Sequence, residues 1–375
     1  MIRNPFIIAG KIPPEYFCDR NSEKSKIISL IENNNNIVLI SPRRMGKTGL
    51  IHFCLDMKEI KDNFNTVFID ILQTTSLQEF TFLLGKEIFE SILPKNKKIA
   101  SKFLQTLKSL SGKFTFDPIS NAPSFSIQLG DIVQPVYTLK EIFSFLNASS
   151  SPTLIAIDEF QQIANYPEKN VEALLRSHIQ NSLNCNFIFA GSQRHVMQQM
   201  FAYPSNPFYN SSTIMHLDAI PLAEYCDFAI EMFDKYNKKI EKKSIEYVYG
   251  LFDGYTFYMQ KVFNDSFAKI SENENCTLNI IQKSINEIIE SSSSIFRELL
   301  SSIPLRQKEL LISIAQSGNA ENITSIDFIN KFGLTSASSV QAAAKKLIER
   351  NIITRTDNKY SLTDKFMAMW LRAVY

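Results

Sequence analysis

The chain has 375 residues, 45% hydrophobic and 21% charged, with a formal net charge of +2. These values describe an ordinary globular protein of two to three domains and exclude a disordered or strongly polyelectrolyte chain. Five scattered cysteines without C-x-x-C spacing (Cys18, Cys54, Cys185, Cys226, Cys276) and four dispersed histidines argue against a zinc site and for a reduced, cytoplasmic protein. Met1-Ile2-Arg3-Asn4-Pro5 lacks the apolar core of a signal peptide. No apolar run approaches the ~20 residues that span a bilayer, so no membrane partner is expected.

After an extended lead-in over 1–24, a helix is expected at 23–33, with Asn21 or Ser22 as its cap. The apolar run Asn36-Ile37-Val38-Leu39-Ile40 reads as a strand. It feeds Ser41-Pro42-Arg43-Arg44-Met45-Gly46-Lys47-Thr48 and then a helix beginning near Gly49. Thr66–Ile71 reads as a second strand and 76–108 as one long helix. Residues 112–132 alternate as strands do around a Pro/Asn-rich turn, which predicts a hairpin insertion. A helix at 138–148, a buried strand at 152–159, a helix at 168–183 and a second buried strand at 186–192 follow, with a short fifth strand at 214–217. This alternation implies a parallel sheet, with ligands outside the carboxyl ends of its strands. The polar tips at 41–48, 158–159 and 191–194 are then expected to face one crevice. Residues 222–302 read as helical throughout, and 304–375 as helix, helix, turn, helix and hairpin, the pattern of a winged helix. The domains are accordingly placed at 1–221, 222–302 and 303–375.

The loop carries the strongest chemistry. Its Gly-Lys-Thr follows the G-x-x-x-x-G-K-[ST] spacing, with Ser41 in place of the first glycine. Gly46 supplies a backbone free to adopt positive φ, and the helix after it presents N–H groups to a phosphate. Residues Ser41 to Gly49 are thus candidates for holding the nucleotide, with Lys47 on its β/γ-phosphates and Thr48 on Mg²⁺. Arg43 and Arg44 flank the phosphates. Asp158 is placed to hold Mg²⁺, directly or through water, and Glu159 to act as general base on the attacking water. The bland reading of that acidic pair is a helix cap. Ser192 stands at the neighbouring strand tip, to contact the γ-phosphate or the water. Its alternative is the small residue of a tight turn after Gly191. Arg194 follows, either near phosphate or as a plain surface arginine.

The run Leu39–Thr48 resembles the G-P-R-R-x-G-K-T loop of the archaeal-type ATPases, in the AAA+/STAND division of P-loop NTPases. Phe17-Cys18-Asp19-Arg20-Asn21-Ser22-Glu23 is similar to the family's lead-in, which implies that Arg20 lies near the adenine. Ile157-Asp158-Glu159-Phe160-Gln161 resembles its Walker B strand, and Ala190-Gly191-Ser192 its sensor 1. Asp253–Gln260 is similar to its lid motif, and Tyr360–Phe366 with Trp370-Leu371 to its winged-helix ending. The resemblance implies an AAA+-like α/β fold followed by a helical lid and a winged helix. It further implies ATP or ADP with Mg²⁺ as cofactors and ATP hydrolysis. The first functional reading is a nucleotide-hydrolysing switch, in which ATP closes the lid, moves the winged helix and changes a partner interaction.

Thr256 and Lys365 stand where the family has prolines, and Pro207-Phe208-Tyr209-Asn210-Ser211-Ser212 carries no arginine. No sensor 2 arginine is evident in the lid. Slow turnover is therefore expected, or dependence on a protein partner or self-association that supplies charge. The nuclease-like domain that continues some family members is not expected within the residues up to Tyr375. The winged helix has a modest basic excess. Its recognition stretch, Ser336–Ala344, is small and uncharged, with only Gln341 able to reach far and with Lys345, Lys346 and Arg350 behind it. A packing role is favoured there over DNA binding. The alternative is a DNA-binding regulator whose nucleotide site is sensory or structural.

Overall fold

The computed structural model describes residues 4–18, 20–92, 97–110, 115–116, 123–124, 127–318, 320–356 and 358–375. The chain folds as two compact units, one from 9 to 221 and one joining 222–375 with the described residues up to Ile8.

The first unit is built on β1 (Ile37–Ile40), β2 (Asn65–Asp70), the two-residue strands β3 (Thr115–Phe116) and β4 (Pro123–Ser124), then β5 (Thr153–Asp158), β6 (Cys185–Gly191) and β7 (Thr213–His216). Five of these form one parallel sheet in the order β2-β5-β6-β1-β7. Every residue of β1, β5 and β6 is buried, as a parallel sheet covered on both faces requires. Alternate residues serve opposite faces. Val38, Ile40, Ile155, Ile157, Phe187 and Phe189 join one core with helices Leu77–Ile92 and Pro135–Asn147. Ile37, Leu39, Leu154, Ala156, Ile188 and Ala190 join the other with helices Asn21–Glu32 and Lys47–Asp56. In register, Asp70 lies beside Asp158 and Ile40 beside Gly191, so the carboxyl ends of four strands converge.

Two local expectations change, one helix is additional, and the hairpin falls only partly within the described residues. The single helix over 76–108 is two, Leu77–Ile92 and Lys97–Thr106, and the sequence between them contains Pro94, which disfavours an unbroken helix. The first helix starts at Asn21, with Arg20 in the cap position at φ 78° and no side-chain cap, so neither Asn21 nor Ser22 caps it. A short helix, Lys58–Asn63, was not anticipated. Of the hairpin over 112–132, the described part pairs Thr115 with Ser124 and Phe116 with Pro123. Leu129–Asp131 is a 3-10 turn, and 112–114, 117–122 and 125–126 lie outside the described residues.

The second unit holds helices Leu222–Asp234, Lys242–Leu251, Thr256–Lys269 and Leu278–Ser301. Helices Leu305–Ser317, Ile326–Phe332 and Ala337–Glu349 follow, with a three-stranded sheet of Ala320–Glu321, Ile353–Thr356 and Lys359–Leu362, and a last helix Lys365–Val374. Fully buried Tyr258 ties the lid to the winged helix. Its hydroxyl donates to the Thr363 carbonyl at 2.9 Å and accepts from the Lys365 N–H at 3.1 Å. The Lys365 ammonium meets Asp253 at 2.8 Å. Phe6, far away in sequence, packs among Phe228, Phe233, Phe263 and Phe267. Among the described residues no helix is long and apolar enough to cross a membrane.

Candidate nucleotide site

The 41–46 loop leaves β1 and turns into helix Lys47–Asp56 through two left-handed residues, Arg44 at φ 71° and Gly46 at φ 89°. Gly46 adopts that conformation at no steric cost. No side chain caps the helix, so its first N–H groups point out of the helix end without an intrahelical acceptor. Ser41 is fully buried; its N–H donates to the Gly191 carbonyl at 3.2 Å, continuing the sheet by one bond, and its hydroxyl donates to the Pro42 carbonyl at 3.0 Å. Buried Met45 anchors the loop, and its carbonyl accepts from the Arg20 guanidinium at 3.2 Å. Arg20 also binds Glu23 at 2.7 Å and is 5% exposed. These contacts tie the 41–46 loop to the start of helix Asn21–Glu32.

Lys47 and Thr48 meet the acids of β5. The Lys47 ammonium pairs with the Asp158 carboxylate and reaches Glu159 Oε1 at 3.3 Å. The Thr48 hydroxyl donates to Asp158 Oδ2 at 2.5 Å. Asp158 is 2% exposed and Lys47 6%, and a buried charge pair of this kind is retained only where its polar atoms are satisfied. Glu159 has φ 55°, a left-handed conformation that swings the chain off β5 and into the turn Phe160–Asn165. Phe160 anchors that turn against Phe189 at 4.6 Å and Phe208 at 5.4 Å between ring centres. Glu159 Oε2 accepts from the Ser192 hydroxyl at 2.7 Å and from the Gln161 amide at 2.5 Å. Arg43 Nε donates to Ser192 Oγ at 3.3 Å. Lys47, Thr48, Asp158, Glu159, Ser192 and Arg43 thus form one connected cluster. Arg194 is exposed at the start of its helix, and Phe208 of the 207–212 segment is fully buried.

Two residues at the site were not singled out from the sequence. Gln161 binds Glu159, and only its position two residues beyond hinted at this. Asp70 ends β2 beside Asp158, and its pKa is raised by burial and then by the charges of Asp158 and Glu159, against the opposing Leu72 N–H bond. A third acid at a strand end on the same edge is the signal that locates it.

A parallel sheet with a lysine-bearing loop after β1 and the acids Asp158 and Glu159 at the end of β5, with β6 between the two strands, defines the P-loop NTPase fold. The chain belongs to the family of ATPase domains found predominantly in Archaea, whose model matches residues 17–262; a probable winged helix domain matches 294–373. Among solved structures, the chain is similar to the Walker-type ATPase paby2304 of Pyrococcus abyssi, at 19% identity and TM-score 0.67, covering 98% of this chain and 99% of that one. It is also similar to the Aeropyrum pernix ORC2 protein in ADPNP–ADP complexes, at 15% identity and TM-score 0.62, covering 99% and 96%. The Aeropyrum pernix ORC1 protein in complex with DNA aligns at 10% identity and TM-score 0.54, covering 99% and 97%. No curated protein matches the sequence.

Proposed function

We propose that the chain binds and hydrolyses ATP at the 41–49 loop and works as a nucleotide-driven switch. The observation that carries this is the shared cluster of Lys47, Thr48, Asp158 and Glu159 at one helix N-terminus. Lys47 and the uncapped N–H groups bind the β- and γ-phosphates. Glu159 takes the proton of the attacking water, and Ser192 holds that carboxylate and the nearby phosphate oxygens in place.

The donor set fits Mg²⁺. Thr48 Oγ1 and Asp158 Oδ2 are hard oxygen atoms already 2.5 Å apart. Among the described residues no group of three or more His, Cys, Asp or Glu forms a metal cage by itself. Mg²⁺ needs none here, since it binds through one or two protein oxygens, substrate phosphates and water. Thr48 and Asp158 would hold it, and the ion would neutralise charge on the phosphates.

With no arginine in 207–212, basal hydrolysis is slow and rises when a protein partner or second copy contributes one. Such a residue is worth ~10³–10⁵ in rate in other NTPases. Phosphate release from Mg-ATP, measured for the wild type and Lys47→Ala, tests the reading; equal rates for the two sink it.

The second reading, a DNA-binding regulator, draws on the winged helix. Gln341, Lys345 and Lys346 are exposed on helix Ala337–Glu349, and one protein of similar fold was solved with DNA. Lys346 is engaged by Glu349 at 2.8 Å, which weakens its claim on a phosphate. The switch reading therefore stands ahead of it.

A further inference from the structure

We propose that Gln161 is a positioning residue for Glu159, fixing the carboxylate in the orientation from which it accepts a proton. The proposal rests on the reading of Glu159 as general base. Gln161 is 3% exposed, and its Nε2 donates to Glu159 Oε2 at 2.5 Å. The Ser192 hydroxyl donates to the same oxygen at 2.7 Å. Oε2 is thereby occupied by two neutral donors, and Oε1 faces Lys47 at 3.3 Å. The amide has one sensible orientation: turned over, it would set its oxygen against a carboxylate.

That orientation costs something. Gln161 Oε1 has no hydrogen-bond partner among the described residues, although it is buried. A buried unsatisfied carbonyl is unfavourable, and it persists here beside a well-made bond to Glu159. The fold also makes room for it. A Cβ on Gly191 would stand 2.5 Å from Gln161 Oε1 and 2.5 Å from the Met197 side chain. Gly191 has no positive φ, so its glycine serves this close approach rather than a turn. Glu159 itself is left-handed at φ 55°, which brings the side chains of 159 and 161 to the same side of the turn.

The test compares steady-state phosphate release from Mg-ATP for the wild type, Glu159→Gln, Gln161→Met and Gln161→Glu, with nucleotide affinity measured by fluorescent ADP. Gln161→Met keeps length and bulk but removes the donor. Its kcat should fall on the order of ten- to hundredfold, as when groups orienting an active side chain are removed. Its KM and ADP affinity should stay within about twofold, because the amide touches no phosphate ligand. Gln161→Glu sets a second carboxyl against Glu159. Ionised it repels; protonated it donates to Oε2, so the activity of this variant relative to wild type should rise as pH falls. A merely structural role would lower the affinity and stability of both variants and leave the pH profile unmoved, overturning the proposal. Turnover abolished in Glu159→Gln but unchanged in Gln161→Met overturns it as well, while leaving Glu159 as the base. Turnover retained in Glu159→Gln, or absent from the wild type, overturns the general-base reading and the proposal with it. Should Gln161→Met fail to fold, the pH profile of Gln161→Glu decides alone.

Discussion

Gly191→Ala is the substitution whose cost can be worked from the structure. Gly191 ends β6 next to the phosphate loop, buried against Gln161 and Met197. The added methyl would lie 2.5 Å from Gln161 Oε1 and from Cγ and Sδ of Met197, where contacts under 3.0 Å force a shift. Met197 is 0% exposed, so its flexible chain has little free space to enter. Gln161 is tied to Glu159 and cannot retreat without breaking that bond. Inserting a methyl into so closed a core costs about 1–3 kcal/mol. At roughly 2–4 °C per kcal/mol for a domain of about 150–250 residues, the transition of the 9–221 unit should fall by about 2–12 °C. Scanning calorimetry of the full chain measures it, and phosphate release on the same sample should fall because the Gln161–Glu159 contact is displaced. Combining the change with Met197→Ala removes two of the three close contacts and should recover part of the loss non-additively. A midpoint and rate equal to wild type would refute the packing argument around Gln161.

Lys47→Ala should lower stability as well as ATP binding. It leaves Asp158, 2% exposed, without its cation, a loss of about 3 kcal/mol, and Asp158→Asn in the same chain should restore much of it by removing the unpaired charge. Urea unfolding of the single and double variants checks this. Asp70 has a folded pKa raised above 3.8 by burial and its acidic neighbours, so ionising it opposes folding. Its contribution is most favourable below about pH 4 and is lost as pH rises through the folded value. Asp70→Asn should therefore raise the unfolding free energy at pH 7, by less than about 1 kcal/mol because Asp70 is only partly covered and solvent screens its neighbours' charges, and the gain should shrink toward pH 4. For the winged helix, Lys345→Ala with Lys346→Ala should weaken duplex binding and flatten its salt dependence if phosphate contacts carry it; unchanged binding removes that surface.

Much of the site was legible because its signals are local. The apolar run 37–40 before Gly46-Lys47-Thr48, and 153–157 before Asp158-Glu159, carry strand, turn and chemistry in one short stretch each. What sequence could not place depends on contacts between distant segments. Arg20 is placed near the adenine by resemblance alone, and its guanidinium's bond to the Met45 carbonyl is a contact between segments that no local pattern announces. Asp70 and Asp158 become neighbours only through parallel pairing of β2 and β5. Gln161 acquires meaning from the absent side chain of Gly191, thirty residues on. Periodicity alone ran one helix across Pro94, because the apolar pattern continues on both sides of it. Phe6 lies in a lead-in with no period at all, and its burial among four phenylalanines of the second unit is a purely tertiary fact.

ATP hydrolysis by Lys47, Thr48, Asp158 and Glu159 acting together is the core of the proposed function. Phosphate release and ATP affinity, measured side by side for the wild type and Glu159→Gln with Mg²⁺ present, test it most directly. Slow but measurable release is expected from the wild type, and at least a hundredfold less, on the order expected for losing a general base, from Glu159→Gln with ATP still bound. Equal release by the two proteins would contradict it.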